Sequence, residues 1–256
     1  MPTRRDALSL LLLPAAASLM SSITGSAASA QTALKGDSIP TSDGDVIIHP
    51  VNHASLVIGY KDAVIYVDPV GGAAKYEGLP RPTAILVTHG HPDHLDIPTL
   101  EGLGATKIGL TAPKVVIDAL PEGMKGAATL VANGDTGKVS GLPLTVVPAY
   151  NTTPDRLKYH PKGVGNGYVI RTADKSIYVA GDTEDVPEMR ALTGIDVAFL
   201  PMNLPFTMTV EQAADATKAF RPKIVYPYHH KGSDLKKFSQ LVGEAAEVRI
   251  AEWYAG

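Results

Sequence analysis

The stretch VTHGHPDHLD, Val87 to Asp96, places three histidines and two aspartates within ten residues, directly after the apolar run Ala84-Ile85-Leu86. The whole chain carries only 8 histidines and no cysteine, so the crowding is confined to one turn. An apolar run that stops abruptly at a Gly- and Pro-containing segment reads as a buried strand entering a tight loop. Within that loop His89, His91, Asp93 and His94 spell H-x-H-x-D-H. A divalent cation needs neutral imidazoles and carboxylates converging to about 2 Å. A tight loop at a strand end can aim alternate residues at one cation and the next pair at a second. The stretch therefore reads as a metal-binding loop rather than a solvated turn.

Around it the chain alternates short β-rich runs with turn residues. Val46–Ile48, Ser55–Ile58, Ala63–Val67 and Ala84–Thr88 precede or enter the loop; Lys107–Leu110, Leu144–Val147, Gly167–Ile170, Ser176–Ala180, Val197–Leu200, Ile224–Tyr226 and Val248–Trp253 follow it. Helical patterns fit Pro113–Leu120, Val210–Phe220 behind a capping Thr209, and Asp234–Ala245. Strands dominate, and helices are placed to cover one face of each group. The expected class is mixed α/β (α+β), a four-layered αββα sandwich in one domain over residues 31–256.

A chain of 256 residues with 45% apolar content can bury a large core. The net charge of −3 and the lack of a basic cluster argue against nucleic acid as a partner and favour a small molecule. Residues 1–30 read as an export signal of the twin-arginine type. Arg4 and Arg5 precede an apolar stretch, and Ala28-Ser29-Ala30 offers a cleavage site. The expectation is a periplasmic or secreted protein with no membrane anchor after cleavage. Absence of cysteine removes thiolate from the possible ligands and nucleophiles, leaving histidine, carboxylate and water.

Two later strand ends add candidates. Asp182 lies in YVAGDT, where Gly-Asp-Thr also reads as a plain turn, and His229 lies in VYPYHH beside His230. Taken in order, these motifs resemble the metallo-β-lactamase superfamily of metal-dependent hydrolases, over about Val46 to Trp253. The opening VNHASLVIGYKDAVIYVDP is similar to the branch related to ascorbate-phosphate lactonase. The resemblance implies a dinuclear site between two sheets. His89 and His91 would bind one metal, Asp93, His94 and His229 the other, and Asp182 would bridge them. The first metal commonly takes one more histidine from a loop after an intervening strand. Here that segment, PAYNTTPDRLKYHPKGVGNGY, offers Asn151 and His160. Three readings stand: His160 folds back as the ligand, the Asn151 amide or a water replaces it, or the site is one ligand short.

Asp68 reads as a brace for a ligating imidazole or as an Asp-Pro turn. His49 and His53 read as structural, having no nearby carboxylate in sequence. The resemblance implies two divalent ions, zinc first with manganese or iron admissible, and a shared hydroxide as nucleophile. Asp93 would orient that hydroxide or take its proton, and His230, Lys231 or a metal-bound water would assist the leaving group. Leu200–Thr209 reads equally as a pocket wall or a packed loop, and Lys162 and Lys231 as anion contacts or solvated lysines. A cyclic ester is the expected substrate, with a phosphodiester or β-lactam as alternatives. A catalytically idle metal-binding protein is the reading from another class.

Overall fold

The computed structural model describes residues 34–254; the export segment proposed for residues 1–30 lies outside them. Most strands are apolar on both sides, because each sheet is covered on both faces. In β3 (Ser55–Tyr60), for instance, every residue is buried. Leu56 and Ile58 point into the space between the sheets, while Val57 packs outward beneath helices.

The first sheet holds, in chain order, β1 (Asp37–Thr41), β2 (Gly44–Asn52), β3, β4 (Ala63–Val67), β5 (Ala84–Leu86), β6 (Gly109–Ala112) and β7 (Ala128–Leu130). The second holds β8 (Thr136–Val139), β9 (Leu142–Ala149), β10 (Gly165–Arg171), β11 (Ser176–Val179), β12 (Val197–Pro201), β13 (Ile224–Tyr228) and β14 (Glu247–Val248). Each sheet begins with three antiparallel pairings and continues with three parallel ones, so one plan is used twice. The inner core joins Ile48, Leu56 and Ile65 of one sheet to Phe199 and Tyr226 of the other, with Trp253 among them.

Helices close the outer faces. Leu100 of α1 (Ile97–Gly102), Val116 of α2 (Lys114–Ala119) and Met124 of α3 (Glu122–Lys125) pack on the first sheet. Met189 of α4 (Pro187–Arg190), Phe220 of α5 (Val210–Phe220) and Phe238 of α6 (Leu235–Val242) pack on the second. This is the expected αββα sandwich. Among the described residues no helix is long and apolar enough to cross a membrane.

Three local expectations shift. Helix α1 was not foreseen, and Asp96 of the opening stretch is its cap, accepting from the Thr99 N–H. The helix expected over Pro113–Leu120 runs from Lys114 to Ala119, with Pro113 at its N-cap position. The strand expected over Val248–Trp253 shrinks to Glu247–Val248, because the chain leaves the ladder to bury Trp253 in the inner core. Thr209 does cap α5, reciprocally with Gln212.

Candidate metal centre

Asp68 follows β4, the H-x-H-x-D-H loop follows β5, Asp182 follows β11 and His229 follows β13. In sheets with parallel strands, the carboxyl ends of the strands are where backbones diverge and leave a crevice. His53 (φ +51°), Asp68 (φ +45°) and His229 (φ +44°) all adopt the left-handed conformation, uncommon outside glycine. Backbone bonds hold them there. The His229 N–H donates to the His53 carbonyl (2.9 Å), the His53 N–H to that of Trp253 (3.1 Å), and the Asp68 N–H to that of Leu86 (2.9 Å). Gly181, before Asp182, is also left-handed (φ +67°), and a Cβ there would stand 2.7 Å from the Asn166 carbonyl oxygen.

Two groups of donors form around Asp182. Ligand-capable atoms of His89, His91, His160 and Asp182 lie within 4.8 Å of one another. His160 Nε2 is 3.2 Å from Asp182 Oδ2, and His89 Nε2 is 3.0 Å from His91 Nδ1. The second group unites His94, Asp182 and His229: His94 Nε2 is 3.3 Å from Asp182 Oδ1, and His229 Nε2 is 3.2 Å from Oδ2. Asp93 joins it through Oδ2, 3.4 Å from His229 Nε2. Asn151 is not aligned in the same way. Its amide nitrogen donates to the carbonyls of Phe206 (2.7 Å) and Arg156 (3.0 Å), leaving only its buried Oδ1 without a hydrogen-bond partner.

The donors suit a cation. His94 Nε2, His160 Nε2, Asp182 Oδ1 and both ring nitrogens of His229 are buried without a hydrogen-bond partner. Native interiors seldom leave such atoms unpaired. Within each group, one ring nitrogen of each histidine and the Asp182 carboxylate converge within 4.8 Å of one another, and imidazole with carboxylate is the donor set that divalent transition metals take.

Neighbouring groups orient these rings. Buried Asp68 accepts from the Thr88 N–H (2.7 Å), the Thr88 hydroxyl (2.7 Å) and His94 Nδ1 (2.8 Å). Because that hydroxyl donates to Asp68, it accepts from His89 Nδ1 at 3.0 Å. His160 Nδ1 donates to the Phe206 carbonyl at 3.0 Å. In all three rings the proton sits on Nδ1 and the Nε2 lone pair faces the cluster.

His53 corrects the structural reading given to it: its Nε2 lies 3.3 Å from Asp93 Oδ2, and its ring is 3.8 Å from that of His229. The Tyr254 hydroxyl accepts from the N–H groups of His230 and Lys231, both at 3.0 Å, so its own proton goes to His53 Nδ1 at 2.9 Å. His53 Nε2 then carries the proton directed at Asp93. The only sequence signal was the polar turn Asn52-His53 between two strands. His49 is structural as expected, its Nδ1 bonded to the Lys35 carbonyl.

Charges follow this geometry. Burial pushes His89 well below the usual imidazole range, helped by His94. Burial acts the same way on His94 and His229, but the charge of Asp182 prevails, leaving His94 well above its ordinary value and His229 at about 9. Protons held this way are those a divalent cation would displace. Burial would raise Asp93, yet the close imidazoles of His229 and His53 outweigh it and keep the carboxyl ionised.

The cleft over the cluster has a volume of about 400 Å³, is walled by Pro92, Tyr159 and Phe206 beside the candidate ligands, and has no lysine or arginine in its lining. Phe206 makes part of Leu200–Thr209 a wall, while Leu200, Met202 and Met208 pack in the core beneath, so both readings of that segment hold. Three residues expected at the leaving group or substrate lie elsewhere. His230 packs its ring on Tyr254 (5.1 Å), because successive side chains at a strand end point to opposite sides and His229 takes the inward one. Lys231 lines a separate hollow beside α6, and Lys162 pairs with Glu188.

A family model described as beta-lactamase superfamily domain matches residues 64–230. A UPF0173 metal-dependent hydrolase of Pyrococcus abyssi is 35% identical over 217 residues, 78% of this chain and 93% of that protein. The crystal structure of a candidate metal-dependent hydrolase of Parabacteroides distasonis superposes with TM-score 0.78 at 39% identity, covering 85% of this chain and 98% of the other. Igni18, a metallo hydrolase of Ignicoccus hospitalis, superposes with TM-score 0.66 at 26% identity, covering 80% and 94%. With the αββα sandwich and the histidine–aspartate cluster at its strand ends, these matches establish that the chain belongs to the metallo-β-lactamase superfamily of metal-dependent hydrolases.

Proposed function

We propose that the protein hydrolyses a small carbonyl ester, a lactone in the first instance, at a centre of two divalent cations. The observation that carries this reading is Asp182, a single buried carboxylate in contact with both imidazole groups. His89, His91 and His160 would hold one cation, Asp93, His94 and His229 the other, with Asp182 common to both. Two such cations, zinc first and manganese or iron admissible, supply a water-derived nucleophile near neutral pH and polarise the substrate oxygen.

The chain's own residues do the rest. Asp93, ionised and held by His53, orients a nucleophilic water at the floor of the cleft. Tyr159 and Phe206, with ring centroids 5.0 Å apart, form an apolar wall that limits bulk water. A lining without lysine or arginine suits a neutral ester better than a phosphodiester, whose charge would call for a cationic clamp. Metal analysis together with turnover of lactones, bis-p-nitrophenyl phosphate and a chromogenic β-lactam tests the reading. Lactone turnover that disappears in Asp182→Ala, along with one or both metals, is expected. Two bound metals with no turnover of any ester would favour a metal-binding protein instead. We further propose export directed by residues 1–30, tested by replacing Arg4 and Arg5 with lysine and following the protein to the periplasm.

A further inference from the structure

Beside the cleft, and sharing His91, Tyr159 and His160 with it, lies a second hollow of about 200 Å³. Its other walls include Gly90, Val115, Pro161 and Val164, and its one cation, Lys158, lies 5.1 Å from the ring centroid of Tyr159. No carboxylate lines it. A Cβ at Gly90 would approach Val115 to 3.4 Å, so the glycine keeps the floor between them open.

Exposed apolar side chains border both this hollow and the cleft beside it. Of the seven large apolar side chains exposed among the described residues, Val115 and Val164 line this hollow and Phe206 lines the adjoining cleft. Single exposed apolar residues are ordinary, but three of them bordering two joined cavities mark a surface that a ligand dries. Val115 is 40% exposed and Val164 39%, although each borders a cavity next to a buried polar cluster.

We propose that this hollow binds an apolar arm of the substrate, an alkyl or aryl substituent on the acyl side of a carbonyl ester, whose reacting group lies over the cluster. A sugar or phosphate arm would need several donors and acceptors, and apart from Lys158, Tyr159 and the histidines the side chains of these walls supply none. An acyl or aryl chain needs only apolar contact, which Val115, Pro161 and Val164 supply. The placement of the reacting group rests on the ester-hydrolase reading; the binding of the arm does not.

The test is calorimetric titration of the metal-loaded protein with n-alkanoates from acetate to decanoate. Kd should fall about two- to fourfold for each methylene beyond butanoate, then level off when the hollow is filled, the upper value corresponding to about 0.8 kcal/mol per buried methylene. Val115→Asn and Val164→Asn change exposed positions without adding charge and should each flatten this dependence while leaving acetate binding unchanged. A Kd independent of chain length, or the same slope in both variants, overturns the proposal. A chain-length slope with no ester turnover would sink the reaction and keep the subsite; lactone turnover without a slope would do the reverse.

Discussion

Asp68 accepts three hydrogen bonds, two from Thr88 and one from His94, with no exposure to solvent. An amide in its place cannot accept all three, and the His94 proton would shift to the nitrogen facing the cluster. Asp68→Asn should therefore weaken binding of the second metal by roughly 10- to 100-fold, measured by zinc competition against a chromophoric chelator; unchanged affinity would show that the contact only supports the fold. At the other group, His160→Ala should lower metal content by about one equivalent per chain, whereas Asn151→Ala should retain both. Inverted results would make the Asn151 oxygen the ligand. The Asp182 carboxylate and the H-x-H-x-D-H set were legible one by one, because each follows a recognisable apolar strand. Asp93's partner was not: His53 lies 40 residues away in sequence and reaches Asp93 only because β2 and β3 turn beneath the end of β13.

At the scale of elements, the loop from Tyr150 to Val164 decides whether His160 reaches the cluster. Glu184 fastens it: the N–H groups of Thr152 and Thr153 donate to its carboxylate at 2.6 Å each, and Arg156 lies 2.7 Å away as an ion partner. Burial would raise the Glu184 pKa, but these backbone donors outweigh it and hold the carboxyl below its ordinary value. Arg156 in turn donates to the Thr207 carbonyl, linking the loop to the wall that carries Phe206. Loss of this buried anion in Glu184→Ala should cost about 3 kcal/mol in denaturant unfolding and lower occupancy of the His160 metal first. An unaltered unfolding midpoint would place the loop's stability elsewhere. Gly181→Ala forces a Cβ against the Asn166 carbonyl in a left-handed residue, and should destabilise by more than about 1 kcal/mol by the same assay.

For the whole molecule, two sheets of identical plan meet with their parallel halves contributing the strand ends that carry the cluster and its brace: β4 and β5 from one, β11 and β13 from the other. A cation joining His89 and His91 to Asp182 and His160 would thus tie the sheets together. Removing metal should loosen both. At a free metal concentration about 100-fold above Kd, each cation stabilises by about 2.7 kcal/mol, and its removal should lower Tm by roughly 5–10 °C. Thermal unfolding with and without a chelator measures this, and equal curves would mean that the cluster carries no metal under those conditions.

By itself the sequence determined the buried strands, the layered class and the metal-binding loop, since periodicity and the H-x-H-x-D-H spacing are local properties that need no partner. The tertiary structure decided which distant groups come close to that loop. His160 beside Asp182, His53 behind Asp93, and His230 turned out of the cleft all depend on left-handed strand ends and on one sheet facing the other. Such choices are set by packing across the sandwich, where residues far apart in sequence come within hydrogen-bond distance, and no short pattern along the chain encodes them.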